Sequence, residues 1–326
     1  MRVMILTAGL GTRLRPHTFS KPKPLVSVAG KPVLAHIIDD LLDIKIDELI
    51  FVTGYLGNQI EDYVRAHYGH IPLRFLVQHE MRGQADAIYL ANEFADGPLL
   101  VVFGDGLVGI DKERLNSHPA EGIIYCKEVD DPRRFGVAVV EDGRITRLVE
   151  KPSEPVSNLA VVGFYYLPEA RRLMEAISHV MEQGIQTKGE YYLADALQVM
   201  IDRGEVLTAE PVPMWRDCGT IEALLDTNRY LLEHGHSNTV AGTHSVIIPP
   251  VYIAPDAVIE NSVVGPYVSV AAGAALRDSI VKDSIINEGA QIQSVIMAKS
   301  LIGDKAYVDG ISHELNVGDS SDIRLG

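Results

Sequence analysis

Two glycines and a group of cations follow an apolar run close to the start of the chain. The run, Val3–Leu6, predicts a short buried strand, and Gly9 and Gly11 come shortly after it. Glycine lets backbone N–H groups approach an anion closely, and long basic side chains can then close over that anion. The combination predicts a phosphate-binding loop. Its cations are Arg13, Arg15, Lys21, Lys23 and Lys31.

Two carboxylates far apart in the chain lie in short turn-like motifs, and one of them follows a predicted strand. Asp105 stands in Gly-Asp-Gly after the apolar run Leu99–Phe103, and Asp217 stands in the sequence MWRDCGT. Mg²⁺ prefers carboxylate and phosphate oxygens, so both acids are candidate metal ligands. Alone, Asp105 is equally typical of a turn, and Asp217 is equally typical of an N-cap for the predicted helix Ile221–Glu233. With a basic glycine loop, the two acids favour metal-assisted phosphoryl or nucleotidyl transfer.

A third charged feature, Glu150-Lys151-Pro152, follows the predicted strand Arg144–Val149. A carboxylate accepts hydrogen bonds from sugar hydroxyls, and an ammonium group holds a phosphate. On its own, the tripeptide would be better explained as an exposed charged turn.

Short apolar runs alternate with amphipathic segments from Met1 to about His234, which predicts a largely parallel α/β sheet covered on both faces. Ligands of such sheets bind outside the carboxyl ends of the strands, where the glycine loop and Asp105 fall. The predicted strands are Val3–Leu6, Leu49–Val52, Leu73–Val77, Leu99–Phe103 and Gly122–Cys126, and the predicted helices are Val33–Leu42, Leu56–His67, Gln84–Phe94, Pro168–Gln183 and Tyr191–Asp202.

The middle of the chain has a different pattern. Phe135–Val140 and Arg144–Val149 flank Asp142-Gly143 and predict a hairpin with a tight turn, and Ala160–Leu167 predicts a further strand. We expect an antiparallel or mixed extension that walls one side of a cleft.

After about Ala241 the helical periodicity disappears and aliphatic residues recur every five or six positions. This period is typical of the hexapeptide repeats of a parallel β-helix, with ordinary short strands as the alternative. A coil of three sextets needs ~18 residues, which predicts three to four coils. The anchors are Ile253, Ile259, Val264, Val270, Leu276, Val281, Ile286, Ile292, Ile302 and Val308.

A chain of 326 residues suggests two domains, here 1–240 and 241–326. The formal net charge of −15 argues against nucleic-acid and anionic-membrane partners, which need a basic face. No apolar run is long enough to span a membrane, the start lacks signal-peptide features, and two separate cysteines provide no disulfide framework or metal cluster. We therefore expect a cytoplasmic protein.

Several motifs occur in order along nearly the whole chain. LTAGLGTRLRP and KPKPLVSVAGKP at the start are followed by GQADA, FGDG, FGV, EKP, NLAVVGFYYL and WRDCGT. In this order they resemble the sugar-1-phosphate nucleotidyltransferases, also called nucleotide-sugar pyrophosphorylases. The resemblance implies a Rossmann-like nucleotidyltransferase domain with a mixed, mostly parallel sheet, and a left-handed β-helix also occurs in this family.

The family's reaction is attack by a sugar 1-phosphate oxygen on the α-phosphorus of a nucleoside triphosphate, with release of pyrophosphate. By resemblance, Arg13 would stabilise the leaving pyrophosphate and Lys23 would neutralise charge at the α-phosphorus, while Asp105 and Asp217 would hold Mg²⁺. The resemblance further implies nucleotide contacts from Leu6, Ala8, Gly9, Gly11, Thr12, Gln78, Gly83 and Asp105, and sugar-phosphate contacts from Gly136, Glu150, Lys151 and Asn158.

The base and the sugar are less constrained. Gln78 and Gly83 match positions that bond the pyrimidine edge in thymidylyl- and uridylyltransferases of this family, although Gln84 departs from the Thr or Leu common there. A glutamine amide can read the imide of thymine or uracil, but it can also turn over and read another base. The expected substrates are dTTP or UTP and glucose 1-phosphate, with thymidylyl transfer as the first expectation.

Two other functions remain open. Many hexapeptide proteins transfer acetyl groups, so the chain could be bifunctional, although His313 is the only histidine after the first repeat anchor. A non-catalytic sensing or assembly relative is the other alternative, and the retained charged motif residues argue against it. The β-helix is best interpreted as an assembly element, which predicts a homo-oligomer.

Overall fold

The computed structural model describes residues 1–154, 156–238, 241–310 and 316–324. The chain divides into two compact units. Met1–Gly9 and Ile37–Trp215 form the first, called here the sheet unit, and Leu10–His36 and Arg216–Gly326 form the second, the β-helix unit. The predicted boundary between 1–240 and 241–326 falls at Val240, which lies outside the described residues, and it stays a prediction.

The elements up to Asp217 largely follow the predicted pattern. The strands are β1 (Arg2–Leu6), β2 (Ser27–Val28), β3 (Lys31–Pro32), β4 (Glu48–Thr53), β5 (Leu73–Val77), β6 (Leu99–Phe103), β7 (Gly106–Val108), β8 (Gly122–Glu128), β9 (Gly136–Glu141), β10 (Arg144–Glu150), β11 (Leu159–Leu167), β12 (Leu207–Pro211) and β13 (Trp215–Asp217). The helices are α1 (Val33–Leu41), α2 (Gly57–Tyr68), α3 (Gln84–Tyr89), α4 (Lys112–Asn116), α5 (Ala170–Glu182), α6 (Leu193–Asp202) and α7 (Ile221–Leu231).

A nine-stranded mixed sheet forms the centre of the sheet unit, in the order β5-β4-β1-β6-β11-β8-β12-β10-β9. The strands β5, β4, β1 and β6 are parallel, whereas β11 runs antiparallel to β6 and β8. The predicted hairpin is present, with β9 antiparallel to β10. The mixed α/β sheet and the antiparallel extension are therefore as predicted.

Apolar spacing in the sequence explains how this sheet is covered. In α5, Leu173, Met174, Ile177 and Val180 recur on one helical face and are buried with Val101 of β6 in one apolar core. Burial of each such side chain contributes about 1.5–3 kcal/mol, which fixes α5 on the sheet. α3 is shorter than predicted, because the chain after Tyr89 continues as turns, in which the Ala91 N–H donates to the Ile88 carbonyl and the Asn92 N–H to the Tyr89 carbonyl.

The second unit contains a parallel β-helix, as predicted. Its strands are β14 (Val246–Ile247), β15 (Val251–Ile253), β16 (Val258–Glu260), β17 (Val263–Val264), β18 (Val268–Val270), β19 (Ala275–Arg277), β20 (Ile280–Lys282), β21 (Ser284–Ile286), β22 (Gln291–Gln293), β23 (Ile296–Ala298), β24 (Leu301–Ile302), β25 (Tyr307–Asp309), β26 (Asn316–Val317) and β27 (Asp322–Arg324). They form three faces, β14-β17-β20-β23, β15-β18-β21-β24-β26 and β16-β19-β22-β25-β27.

The repeat of this β-helix is slightly shorter than a triplet of sextets. Val251 pairs with Val268, and Val268 pairs with Ser284, so successive coils advance by 17 and 16 residues. Two faces therefore reach five strands, and the third has four. Inward-facing aliphatic side chains such as Val251, Val268 and Val270 form a continuous core through the coils.

Among the described helices, none combines the length and the apolar character that a membrane-spanning helix requires.

Candidate active site

The carboxyl edge of the parallel strands brings several candidate residues together in the sheet unit. Leu6 at the end of β1 is paired with Phe103 at the end of β6, and the Gly104 N–H donates to the Leu6 carbonyl at 3.0 Å. Ala8 and Gly9 leave β1 at this edge, and Asp105 leaves β6 beside them. The edge thus presents an exposed glycine and a carboxylate from neighbouring strands.

Gln78 stands at the same edge, directly after β5. Its backbone N–H donates to the Thr53 carbonyl at 2.8 Å, and the side chain is buried. The side-chain Nε2 donates to the Gly83 carbonyl and to Asp86 Oδ2, each at 3.0 Å. These bonds use both donors of the amide, so Gln78 can offer a ligand only its carbonyl oxygen.

Gly83 is held by the start of the α6 region. The Tyr191 carbonyl accepts from the Ala85 N–H at 3.0 Å, and the Tyr191 N–H donates to the Arg82 carbonyl at 2.8 Å. These two backbone hydrogen bonds fix the turn whose Gly83 carbonyl accepts from Gln78. Asp86, which orients the amide, lies inside the GQADA motif but was not predicted to take part.

A second cluster lies at the end of β10. Glu150 is paired with Gly136 across the β9–β10 hairpin, and a Cβ on Gly136 would lie 2.9 Å from Glu150 Oε2. The Glu150 carboxylate is largely buried, and its Oε1 lies 3.4 Å from Lys151 Nζ. Burial raises the pKa of Glu150, and the positive charge of Lys151 only partly opposes this rise. The result is a desolvated carboxylate beside a cation.

Lys151 is oriented by an aromatic side chain from another part of the unit. Its Nζ lies 3.3 Å from the Tyr192 hydroxyl and 5.0 Å from the centroid of the Tyr192 ring. Burial lowers the pKa of Lys151, but the hydrogen bond with Tyr192 and the charge of Glu150 outweigh it, and the net shift is upward. Lys151 is therefore fully cationic at neutral pH. Tyr192 lies 41 positions after Lys151 and is not among the predicted site residues.

Two further polar residues frame this cluster. Asp195 accepts a hydrogen bond from the Thr187 hydroxyl at 3.1 Å, and burial raises the pKa of Asp195. Asn158 is exposed and precedes β11, and its carbonyl accepts from the Val129 N–H at 3.0 Å.

In the β-helix unit, Gly11 closes the basic loop on itself. Gly11 has a φ of +62°, and a Cβ there would lie 2.9 Å from Lys23 Cβ and 3.2 Å from Thr18 Cγ2. The Thr18 hydroxyl donates to the Gly11 carbonyl at 2.8 Å. Only glycine accommodates this close approach without strain, so Gly11 brings Lys23 beside the turn Thr12–Leu14.

Arg13 and Asp217 meet at Gly219 in the same unit. Arg13 Nη2 and Asp217 Oδ1 each lie 2.9 Å from where a Cβ on Gly219 would stand. The Gly219 N–H donates to Asp217 Oδ1 at 2.8 Å. Thr220, whose hydroxyl accepts from the Ala223 N–H at 3.2 Å, caps α7. The cap interpretation of Asp217 is thus wrong, because the helix begins too late for Asp217 to reach its first N–H groups.

The two candidate metal ligands are divided between the units, Asp105 in the sheet unit and Asp217 in the β-helix unit. Among the described residues, no group of three or more His, Cys, Asp and Glu side chains could hold a metal ion by itself. Mg²⁺ is usually held by one or two carboxylates together with water and substrate phosphates. An ion of this kind needs few protein ligands, so the chemistry of each aspartate suits it.

A sequence model of the nucleotidyl transferase family matches residues 2–234. The UTP–glucose-1-phosphate uridylyltransferase AglF of Haloferax volcanii is 34% identical over 223 residues, which cover 66% of this chain and 90% of that protein. The glucose-1-phosphate thymidylyltransferase of Streptomyces griseus is 29% identical over 337 residues, which cover 94% of this chain and 93% of that protein.

Other similar proteins share a smaller part of the chain. The bifunctional protein GlmU of Methanocaldococcus jannaschii is 35% identical over 234 residues, which cover 72% of this chain but 55% of that protein. A crystal structure assigned as a glucose-1-phosphate thymidylyltransferase of Bacillus anthracis, in complex with sucrose, is 27% identical with a TM-score of 0.61, and the match covers 74% of this chain and 97% of that one.

Proposed function

Because the chain belongs to the nucleotidyl transferase family, we propose the partners of its reaction: dTTP or UTP as nucleotide donor and glucose 1-phosphate as acceptor. The protein is a sugar-1-phosphate nucleotidyltransferase, of a family that uses a divalent metal. The Glu150–Lys151 cluster is the observation that supports a sugar 1-phosphate as the acceptor. A sugar 1-phosphate needs a cation for its phosphate and acceptors for its hydroxyls side by side, and this cluster supplies both.

In the proposed reaction the basic loop binds the triphosphate. Within it, the loop from Gly9 to Gly11 holds the phosphates, and Leu6, Ala8 and Thr12 are further nucleotide contacts. Arg13 stabilises the departing pyrophosphate, and Lys23 neutralises charge that develops at the α-phosphorus. The chain supplies no nucleophile, because the acceptor phosphate itself attacks. Positioning two anions in line and cancelling their repulsion provides most of the acceleration.

Asp105 and Asp217 would hold Mg²⁺ in this proposal. When bound, the ion would neutralise phosphate oxygens of both substrates. Arg13 lies against the same glycine as Asp217, so a cation on the pyrophosphate side stands next to a metal-ligand carboxylate.

On the sugar side, Lys151 grips the acceptor phosphate, while Glu150 and the backbone of Gly136 bind hydroxyls and Asn158 lies nearby. The desolvated carboxylate of Glu150 is a strong hydrogen-bond acceptor once ionised. The hydrogen bond with the Tyr192 hydroxyl orients the Lys151 ammonium group and favours its charged form.

The hydrogen bonds of the Gln78 side-chain amide support a nucleotide whose base is a pyrimidine with an imide, which is thymine or uracil. Both amide hydrogens are already used by Gly83 and Asp86, so the free group is an acceptor. Thymine and uracil present an N3–H donor, whereas the corresponding N3 of cytosine is an acceptor. These hydrogen bonds do not detect the methyl group that distinguishes thymine from uracil. Both dTTP and UTP are therefore proposed.

We further propose that the protein is a cytoplasmic homo-oligomer assembled through the β-helix. On the face β14-β17-β20-β23, Val246, Val263, Ile280 and Ile296 stand in register. Val246, Ile280 and Ile296 are exposed, at 57%, 46% and 47%. An aliphatic row of this kind is typical of a surface that another subunit covers.

An acetyltransferase activity is not part of this proposal. The match to the bifunctional protein of Methanocaldococcus jannaschii covers only 55% of that protein, and His313 lies outside the described residues.

A pyrophosphate-release screen tests the proposed substrates. ATP, GTP, CTP, UTP and dTTP are each incubated with glucose 1-phosphate, other sugar 1-phosphates and Mg²⁺. The expected result is release with dTTP or UTP and glucose 1-phosphate, and loss of release when EDTA removes the metal. Turnover confined to a purine triphosphate or to another sugar would contradict the substrate assignment. Acetyl-CoA with glucosamine 1-phosphate serves as a further arm, in which no turnover is expected.

A further inference from the structure

The basic segment Leu10–His36 contains a hairpin, formed by β2 and β3 just before α1, whose tip has an unusual backbone conformation. β2 and β3 pair antiparallel around Ala29 and Gly30. Both tip residues have positive φ, +45° for Ala29 and +90° for Gly30. Gly30 adopts this conformation freely, but an alanine in the left-handed region costs roughly 1–2 kcal/mol. Contacts made by the tip must therefore offset the strain at Ala29.

Asn228, in α7, makes the contact that holds Ala29. The side chain of Asn228 is fully buried. Its Oδ1 accepts from the Ala29 N–H at 2.9 Å and from the Ser269 hydroxyl at 2.6 Å, and its Nδ2 donates to the Tyr267 carbonyl at 3.2 Å. One amide thus joins the hairpin tip, a helix and a coil of the β-helix.

The other tip residue rests on the β-helix directly. A Cβ on Gly30 would lie 2.4 Å from Cζ of Tyr252, whose ring projects from β15. The face β15-β18-β21-β24-β26 therefore receives the hairpin through Tyr252 and, by way of Asn228, through Ser269.

The front of the basic segment is anchored to the far end of the same face. His17 contacts Asn316, Ser20 donates to Asp319, and Lys21 forms an ion pair with Asp304. Burial lowers the pKa of His17, whose surroundings also include Lys21 and the carboxylates of Asp304 and Asp319.

Lys23 lies between these two anchors, after Lys21 and before the hairpin. We propose that Asn228 is a positioning residue for nucleotidyl transfer, which fixes the hairpin on the β-helix and thereby sets the place of Lys23. The inference rests on the proposed function, because it takes Lys23 as the residue that neutralises charge at the α-phosphorus. Asn228 itself touches no substrate.

Asn238 provides a matched control. It too makes side-chain hydrogen bonds that join the end of the helical region to the β-helix, at 2.8 Å to the Ile253 carbonyl and 2.9 Å from the Ile253 N–H. These bonds do not involve the basic segment. A purely structural role for Asn228 predicts that Asn228→Ala and Asn238→Ala behave alike.

Steady-state kinetics of the full chain, well below the unfolding temperature of each variant, distinguish the two roles. We expect Asn228→Ala to lower kcat roughly 10- to 100-fold, because small displacements of a catalytic group are costly. The KM for the sugar 1-phosphate should stay within about twofold, since its proposed ligands belong to the sheet unit. Asn238→Ala should keep kcat within about twofold of the wild type.

Asn228→Asp supplies a rescue test. The carboxyl group keeps both acceptor bonds, to Ala29 and Ser269, and can donate to the Tyr267 carbonyl only while protonated. We expect kcat above that of Asn228→Ala, with a deficit relative to the wild type that grows as pH rises. A pH-independent deficit equal to that of the alanine variant would contradict the proposed bonding.

Hydrogen exchange gives a readout that does not depend on turnover. The Ala29 amide should exchange faster in Asn228→Ala than in Asn238→Ala. The inference is overturned if Asn228→Ala retains kcat, or if its loss of kcat is matched by Asn238→Ala. An inactive wild type overturns the proposed function instead, so the two failures are distinguishable.

Discussion

The cations assigned to the two substrates, Lys151 in the sheet unit and Lys23 with Arg13 in the β-helix unit, are held by different kinds of contact. Lys151 follows β10, so strand pairing places it beside Glu150, and a single tyrosine orients it. Lys23 begins a single 3₁₀ turn, Lys23–Leu25, and is not part of a strand. The segments on both sides of it are held by pairs of residues 199 and 299 positions apart. Strand register therefore places the lysine proposed for the acceptor, whereas long-range contacts hold the segment that carries the lysine proposed for the donor.

This difference has a consequence for how each subsite fails. A substitution in the hairpin β9–β10 is expected to change affinity for the proposed acceptor without disturbing Lys23. A substitution of a β-helix residue that contacts the basic segment is expected to disturb Lys23, because this segment and the coils form one compact unit.

The largest effect is expected for the two aspartates, which test whether both units must contribute a metal ligand. Asp105→Asn and Asp217→Asn should each lower metal-dependent pyrophosphate release roughly 1,000-fold, because the amide replaces an anionic ligand with a neutral one. Circular dichroism and thermal melting should show folded proteins. Asp322→Asn, on the outer surface of the β-helix, is the control. Near-wild-type turnover in either test variant would remove that residue from the metal site.

The two lysines sharpen the comparison through different kinetic signatures. Lys23→Ala should lower kcat roughly 100-fold, because its charge acts on the reacting phosphorus. Lys151→Ala should mainly raise the KM for the sugar 1-phosphate, about 10- to 100-fold, because a charge-assisted bond to the acceptor is lost. Initial-rate measurements with each substrate varied separate the two. Identical signatures would break the assignment of the lysines to different substrates.

The smallest effect is expected for Glu150→Gln, which should raise the KM for the acceptor about tenfold through a weaker hydrogen bond. Its effect on stability has the opposite sign. The folded-state pKa of Glu150 is raised by burial, so the stability it contributes is full below the ordinary glutamate pKa and is lost as pH rises through the raised value. As pH rises across this range, the melting temperature of Glu150→Gln should increase relative to that of the wild type. A melting temperature that instead decreases relative to the wild type would contradict the burial argument.

The sequence was sufficient for those parts of the fold that local patterns determine. Val3–Leu6 and Leu99–Phe103 are apolar runs of strand length, and Leu73–Val77 is apolar apart from Arg74; all three lie in strands of the sheet. The β-helix was equally accessible, because each coil repeats the same aliphatic spacing. Its repeat of 16 to 17 residues was overestimated, since the length of the corners varies and periodicity alone does not fix it.

Long-range partners could not be predicted in this way. Lys151 and Tyr192 are 41 positions apart, and Ala29 and Asn228 are 199 apart, with no spacing rule to connect either pair. The Gln78–Asp86 pair was easier to predict, because Asp86 lies in the GQADA motif eight positions after Gln78. The roles of the site residues stay predictions, and the structure adds which side chains orient them.

The anchored face of the β-helix also limits how the chain can change length. Ser269 and Asn316 lie on β18 and β26, with β21 and β24 between them. Adjacent strands are about 4.8 Å apart, so insertion or deletion of one coil in this interval would shift one anchor by that distance relative to the other. The segment between Lys21 and Ala29 has a fixed number of residues and would have to rearrange around Lys23 to follow. Coil number is therefore constrained inside this interval, and length variation among such proteins is expected outside it.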